Sequence, residues 1–178
     1  MPGWILIVVL LATAAHPPVA PVGKPHVWAA AQPQATGNFT LTVSPATITF
    51  NAHNPGTLPV VAGSSAATAS WSALGSGNNW SLTVQAGSST FANCSAVPIS
   101  AVTVSCSSVN VFGLGGSGSC AGPFPLSTTP QLVASGSEGL VSLTYSVTLS
   151  FTLADSWKYI AETSPACSLS LTYTATVP

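Results

Sequence analysis

The residues of this chain that could carry out acid–base chemistry are few enough to name completely. They are three histidines and three carboxylates: His16, His26, His53, Glu138, Asp155 and Glu162. A hydrolytic triad needs a nucleophile, a histidine base and an orienting carboxylate, and a serine with His53 and Asp155 is the combination to consider. Because His53 lies in a predicted turn, "FNAHNPGT", with no nucleophile motif nearby, we interpret it as a solvated loop histidine.

Paired carboxylates are the other arrangement that could support catalysis. A glycosidase needs two of them on either side of a cleft, but Asp155 and Glu162 both border "SWKY" in a predicted connection between strands. We interpret them as solubilising charges. The sequence has no carboxylate cluster for calcium, no phosphate-binding loop and no metal-binding helix motif. It therefore predicts no enzymatic activity, no metal and no cofactor.

The charge composition excludes several classes of partner. Charged residues make up 3% of the chain, against about 25% in an ordinary soluble domain. With Lys24 and Lys158 as the only cations, no basic patch can replace the counterions of a nucleic acid or hold an anionic membrane. A surface this poor in charge also offers little repulsion against self-association.

Four cysteines indicate how the chain is stabilised. They are Cys94, Cys106, Cys120 and Cys167. An even number in an exported chain favours two disulfides, and their wide spacing disfavours a zinc site. Three pairings are open. A hairpin in "CSSVNVFGLGGSGSC" would bring Cys106 near Cys120 and leave Cys94 for Cys167.

Tryptophans are the remaining candidates for a binding surface, because exposed rings on an uncharged surface suit carbohydrate ligands. Trp71 and Trp80 are predicted to fill or cover the core. Trp157 lies in the loop "DSWKY" with Tyr159 nearby, between the two longest predicted strands. These two residues are the predicted surface contact.

The N-terminal region predicts export. The apolar run from Trp4 to Ala15 is shorter than the roughly 20 residues of a membrane span and fits a secretory signal, with a retained membrane anchor as the alternative. We predict a signal peptide and processed leader or stalk over residues 1–31, cleaved after Ala14 or as late as Ala31. A linker follows over residues 32–37 and one domain over residues 38–178. The expected location is the extracellular cell surface, with no stable membrane span after processing.

Hydrophobic periodicity predicts the fold of that domain. Apolar residues alternate with Ser and Thr from Val141 to Leu153 and again from Leu169 to Val177. Around Pro45, "NFTLTVSPATITF" predicts two short strands separated by a bend. Strict alternation is typical of sheets with one packed face and one wet face. We therefore predict an all-β antiparallel sandwich, immunoglobulin-like or WxL-like, with about eight to ten strands and almost no helix.

One stretch resembles a known family. "GSGNNWSLTV" is a small-residue turn that leads into Trp80, Ser81 and Leu82, and it resembles the first signature of the WxL-type cell-surface domains of bacteria. The likeness extends over residues 39–178, although Tyr173 in "LTYTAT" stands where a second Trp-x-Leu is expected. The resemblance implies an exported domain that binds the cell wall noncovalently. From the residues themselves we predict that Trp80 plugs the core, with Leu82 on the same face.

These observations favour a cell-surface structural or adhesive module, with a cell-wall polymer or surface glycan as its partner. The chain also resembles secreted pilin and spore-coat-type subunits, which implies self-assembly by strand donation. For such a subunit, the segment 39–43 is the donor candidate. A carbohydrate-binding module is the third interpretation.

Overall fold

Fourteen β-strands make up most of the part of the chain that the structure describes. The structure is a computed structural model and describes residues 8–14, 40–50, 55–73, 78–141, 143–157, 159 and 167–177. The strands are β1 (Val8–Ala14), β2 (Thr42–Ser44), β3 (Thr47–Ile48), β4 (Val60–Ala62), β5 (Ala67–Ala73), β6 (Asn79–Ala86), β7 (Thr90–Phe91), β8 (Cys94–Pro98), β9 (Val102–Phe112), β10 (Ser117–Cys120), β11 (Phe124–Pro125), β12 (Gln131–Ser137), β13 (Leu143–Ala154) and β14 (Cys167–Thr176). Nine of them have four or more residues and the other five have two or three, so the count exceeds the predicted eight to ten only through short strands. The described residues contain no α-helix, only the 3-10 turn Ile99–Ala101.

The strands form two large sheets that share one core. The order of the first sheet is β10-β12-β6-β14-β1-β3, and that of the second is β11-β9-β13-β5-β2, with β4 also paired to β13. A separate ribbon consists of β7 and β8. Every pair is antiparallel except β1 with β14. The all-β antiparallel sandwich predicted from the sequence is confirmed.

Alternation in β13 and β14 shows why these segments fold as strands. In β13 the buried side chains are Tyr145, Val147, Leu149, Phe151 and Leu153. The Ser and Thr residues between them remain partly exposed. Each fully buried large apolar side chain contributes roughly 1.5–3 kcal/mol, so the pattern fixes which face of the strand packs. Val141 was expected on this face, but it precedes the strand and is exposed.

The first strand lies within the apolar run that predicts a signal peptide. Its residues pair in parallel with β14, from Val8 opposite Cys167 to Ala14 opposite Tyr173. On its other side, Leu10 and Leu11 pair with β3. Residues 1–7 and 15–39 lie outside the described residues, so the cleavage site and the linker stay predictions. The full chain nevertheless has a place for this segment inside the first sheet.

Two short strands follow, as the bend at Pro45 predicts. The β2 strand pairs with β5 of the same chain, and Thr42 lies opposite Ser70. Thr42 and Val43 of the predicted donor segment 39–43 are therefore already part of the second sheet, and residue 39 lies outside the described residues. This pairing argues against strand donation by that segment.

The glycine-rich segment after β9 does not form the hairpin that we expected. It carries the chain from the second sheet to the first, because β9 pairs with β13 and β10 pairs with β12. Gly113 and Gly115, with φ of 140° and 83°, adopt backbone conformations that side chains disfavour. A crossing between sheets thus replaces a turn within one sheet.

Candidate functional site

The motif tryptophan lies in the core where β6 begins. Trp80 is 1% exposed, and its indole nitrogen donates a hydrogen bond to the carbonyl of Ser117 at 3.0 Å. Its ring meets two rings of the opposite sheet, Trp71 edge-on at 5.3 Å and Tyr145 tilted at 5.2 Å between centroids. Leu82 is buried on the same face. Both motif side chains therefore hold the two sheets together, and neither is presented to a ligand.

Two glycines on neighbouring strands make room for this indole. Gly136 lies opposite Trp80 in the sheet, and Gly118 lies opposite Gly136 on the next strand. A Cβ atom on either glycine would come within 2.7 Å of the indole ring of Trp80. The sheet therefore accommodates the largest side chain only because these two positions have none.

A carboxylate lies beside the aromatic cluster, contrary to what the composition suggests. Glu138 is 3% exposed, and its backbone N–H donates to the carbonyl of Asn78 at 2.7 Å. Burial raises the pKa of Tyr145, and the charge of Glu138 raises it further. The Tyr145 hydroxyl is buried and has no hydrogen-bond partner within the described part of the chain. The cluster of Trp71, Trp80, Tyr145 and Glu138 is a structural junction at one end of the sandwich.

The two disulfides join separate sheets of the fold. Cys106 of β9 bonds Cys120 of β10, which links the two large sheets. Cys94 of β8 bonds Cys167 at the start of β14, which links the small ribbon to the first sheet. Of the three pairings left open by the sequence, this is the one in which Cys106 bonds Cys120 and Cys94 bonds Cys167. Disulfides persist in oxidising compartments, so they indicate an extracellular or equivalent environment.

The predicted surface contact lies at the opposite end of the sandwich from this junction, and its two members differ in exposure. Trp157 is 72% exposed. Tyr159 is partly buried and packs against the core, and burial raises its pKa, with a smaller contribution from Asp155. Its backbone N–H donates to Ser156, and the Ser156 N–H donates to the Asp155 carboxylate. These hydrogen bonds and the packing of Tyr159 stabilise the turn, and Trp157 faces solvent.

Exposed apolar side chains continue the surface around Trp157. The Asp155 backbone N–H donates to the carbonyl of Pro59 at 2.8 Å, which ties the turn to the segment before β4. On either side of Pro59, Leu58 and Val60 are exposed. We name the surface formed by Leu58, Val60 and Trp157 the tryptophan end. Lys158 and Glu162, which the sequence places nearby, lie outside the described residues.

A shallow depression of about 270 Å³ marks the outer face of the second sheet. Its lining is Thr40, Thr42, Ser70, Trp71, Ser72 and Thr144. The Ser72 and Thr144 hydroxyls share a hydrogen bond at 3.2 Å. The volume lies just below the range of small-molecule pockets, and the lining is rich in hydroxyls. The depression is a hydroxyl-lined concavity that no pattern in the sequence indicated.

A further exposed apolar surface lies on the loops at the junction end of the sandwich. Its side chains are Phe112, Leu114, Leu140 and Val141. The loops approach closely, since a Cβ on Gly115 would lie 3.8 Å from the Cα of Gly139. In the sequence, this exposed surface is indicated by large apolar residues that stand among glycines, in "VFGLGG" and "SEGLV".

The residues considered for catalysis are not brought together in the described part of the chain. His53 lies outside it, Asp155 is engaged with the backbone N–H of Ser156, and Glu138 lies in the junction cluster. Among the described residues, no group of three or more His, Cys, Asp or Glu side chains is placed to hold a metal ion. The same residues include no helix long and apolar enough to cross a membrane.

Comparisons with known proteins add no family. Neither protein-family models, nor curated protein sequences, nor solved structures gave a match to this chain.

Proposed function

We propose that this chain is an exported, disulfide-stabilised module of the bacterial cell surface that binds a cell-wall polymer or surface glycan noncovalently. The observation that carries the proposal is the tryptophan end, where Trp157 is 72% exposed. An indole offers a large apolar face with a polar N–H at its edge. That combination suits a sugar ring, which has an apolar face and a rim of hydroxyls.

The uncharged surface supports the same assignment. A neutral, hydroxyl-rich glycan does not require charged partners, and Ser and Thr line the outward faces of β13 and β14. The depression beside Ser72 offers hydroxyls of the same kind. The two disulfides fit a protein that works outside the cell.

The resemblance to WxL-type domains agrees with wall association and gives the motif a supporting role. Trp80 and Leu82 are buried, so in this chain they would maintain the fold that presents the contact surface. Wall binding is assigned to the tryptophan end. Loss of the second Trp-x-Leu at Tyr173 is compatible with this arrangement, because Tyr173 is also a buried core residue.

Cosedimentation with purified cell walls tests the proposal. The oxidised full chain is incubated with walls and, in parallel, without them, and the pellet is quantified. Pelleting that requires walls and is reduced by soluble wall fragments is the expected result. A chain that stays in the supernatant in both samples contradicts the proposal.

A self-assembling subunit is the second candidate function, and one observation favours it. The β1 strand enters the first sheet from a distant part of the sequence and pairs with β14 in parallel, an arrangement in which strand exchange between copies is possible. Pelleting without walls, increasing with protein concentration, would favour this candidate over the first. A purely glycan-binding module is distinguished by binding of soluble sugars.

A further inference from the structure

The place of β1 in the first sheet is a slot for one extended segment. Seven residues of β1 are in register with β14, and on the opposite side Leu10 and Leu11 are in register with Ile48 and Thr47 of β3. Because neighbouring strands lie about 4.8 Å apart, β14 and β3 are separated by roughly 10 Å here. One strand fits between them. The edge of another folded sheet does not, because β3 obstructs its approach.

Without β1, this edge of β14 lacks the usual protection against pairing. Natural edge strands are commonly blocked by charge, proline or a bulge. Between Cys167 and Thr176 there is no charged residue and no proline, and the pairing with β1 shows no shift in register. The inward side chains Leu169, Leu171 and Tyr173 are buried. The slot therefore favours an extended, uncharged segment.

The segment that fills the slot is joined to the rest of the domain by a long stretch of sequence. About 25 residues separate Ala14 from Thr40, and they could span roughly 90 Å at full extension. The strand itself is only about 23 Å long at 3.3 Å per residue. The connection is thus long enough for Val8–Ala14 to reach a neighbouring copy.

We propose that the slot between β14 and β3 is a strand-acceptor site, and that a second copy of this chain fills it by donating its own Val8–Ala14. Exchange between copies reproduces the same backbone contacts, so the protein concentration determines the ratio of monomers to strand-exchanged copies. A covalent connection between the donor segment and its own slot gives an effective concentration in the millimolar range or below, which falls as the connection becomes longer. Exchange therefore becomes substantial only when copies are held together at comparable density, as on a crowded surface.

This inference deepens the second candidate function and does not depend on wall binding. It requires that residues 8–14 remain in the exported protein, contrary to the predicted cleavage of the leader. The mass of the protein recovered from the cell surface is therefore the first readout. A chain that begins after Ala14 overturns the proposal.

The acceptor property is tested on the full chain with a protease site introduced within residues 20–30 and cut after folding. The probe is a labelled peptide of residues 6–16, flanked by lysines for solubility. We expect the peptide to bind the cut chain at least 100-fold more tightly than it binds the uncut chain, because the uncut chain's own β1 occupies the slot. The same peptide with Leu11→Pro is the matched control. Proline lacks the N–H and is excluded from strands paired on both sides.

Donation between copies is tested by the molecular mass of the uncut chain in solution. Reversible dimers near millimolar concentration, lost in the full chain with Leu11→Pro, are the expected result. Equal dimerisation of both chains, or a folded cut chain that takes the peptide and its proline variant equally or not at all, overturns the proposal. Wall cosedimentation is scored separately, so the two functions can fail independently.

Discussion

Replacing Trp80 with alanine tests the reasoning about the core most severely. The side chain is 1% exposed, meets Trp71 and Tyr145 at about 5 Å and donates a hydrogen bond to Ser117. A Trp→Ala change in a core costs about 3–5 kcal/mol, and the cost depends on how far the cavity can collapse. Here collapse is limited, because Gly118 and Gly136 beneath the ring have no side chains to move into the space. We therefore expect a loss near the upper end of that range.

A loss of this size is a large share of the 5–15 kcal/mol that stabilises a typical domain. The assay is urea unfolding of the oxidised protein followed by far-ultraviolet circular dichroism. The matched control is Trp157→Ala, which removes the same side chain from an exposed position and is expected to change the free energy of unfolding by about 0.5 kcal/mol or less. Similar stabilities for the two variants, within about 1 kcal/mol, would refute the placement of Trp80 in the core.

Three other predictions concern stability. Gly136→Ala brings a Cβ against the neighbouring strand and the indole and should cost about 1–3 kcal/mol or more, whereas Gly122→Ala meets nothing within 4 Å and should be neutral by urea unfolding. Burial raises the pKa of Tyr173, so its contribution is intact below about pH 10 and falls as pH rises further, by about 1.4 kcal/mol per pH unit. Unfolding at pH 8 and pH 11 should show this loss, and Tyr173→Phe should reduce it. Removing the Cys106–Cys120 disulfide, with its separation of 14 residues, should cost about 3 kcal/mol, less than the other disulfide at about 4.4. Equal losses measured for the two would contradict the loop-entropy argument.

The faces of the long strands could be predicted because they depend on local pattern. Leu169 and Leu171 alternate with Ser and Thr residues, and alternation alone assigns them to the packed face. The bend at Pro45 was equally local. The same reasoning placed Val141 incorrectly, because periodicity does not determine where a strand begins.

Sheet membership could not be predicted, because it depends on partners distant in the sequence. Glycines after β9 are compatible with either a hairpin or a crossing between sheets. Pairing of Ser117–Cys120 with residues 134–137 decides between them. For the same reason, the sequence did not indicate that Gly118 and Gly136 make room for Trp80.

The candidate site was predictable in part. Loop position between two long strands suggested that Trp157 is a surface residue, and the structure leaves it exposed. The partial burial of Tyr159 could not be predicted, because it depends on packing against the core. The sequence "GSEGL" did not indicate that Glu138 is buried, since a carboxylate among small residues is typical of a loop. Only tertiary contacts with the aromatic cluster place it inside.

Wall binding by Trp157→Ala, compared with the unmodified chain, tests the central claim most directly. The variant should be as stable as the parent and should bind purified walls at least 10-fold more weakly, because the exposed indole is the proposed contact. Leu114→Ala, which removes an exposed apolar side chain at the junction end, is the matched surface control and is expected to bind walls as the parent does. Ser72→Lys tests separately whether the hydroxyl-lined depression contributes to binding. Undiminished wall binding by Trp157→Ala would contradict the assignment of the tryptophan end as the contact surface.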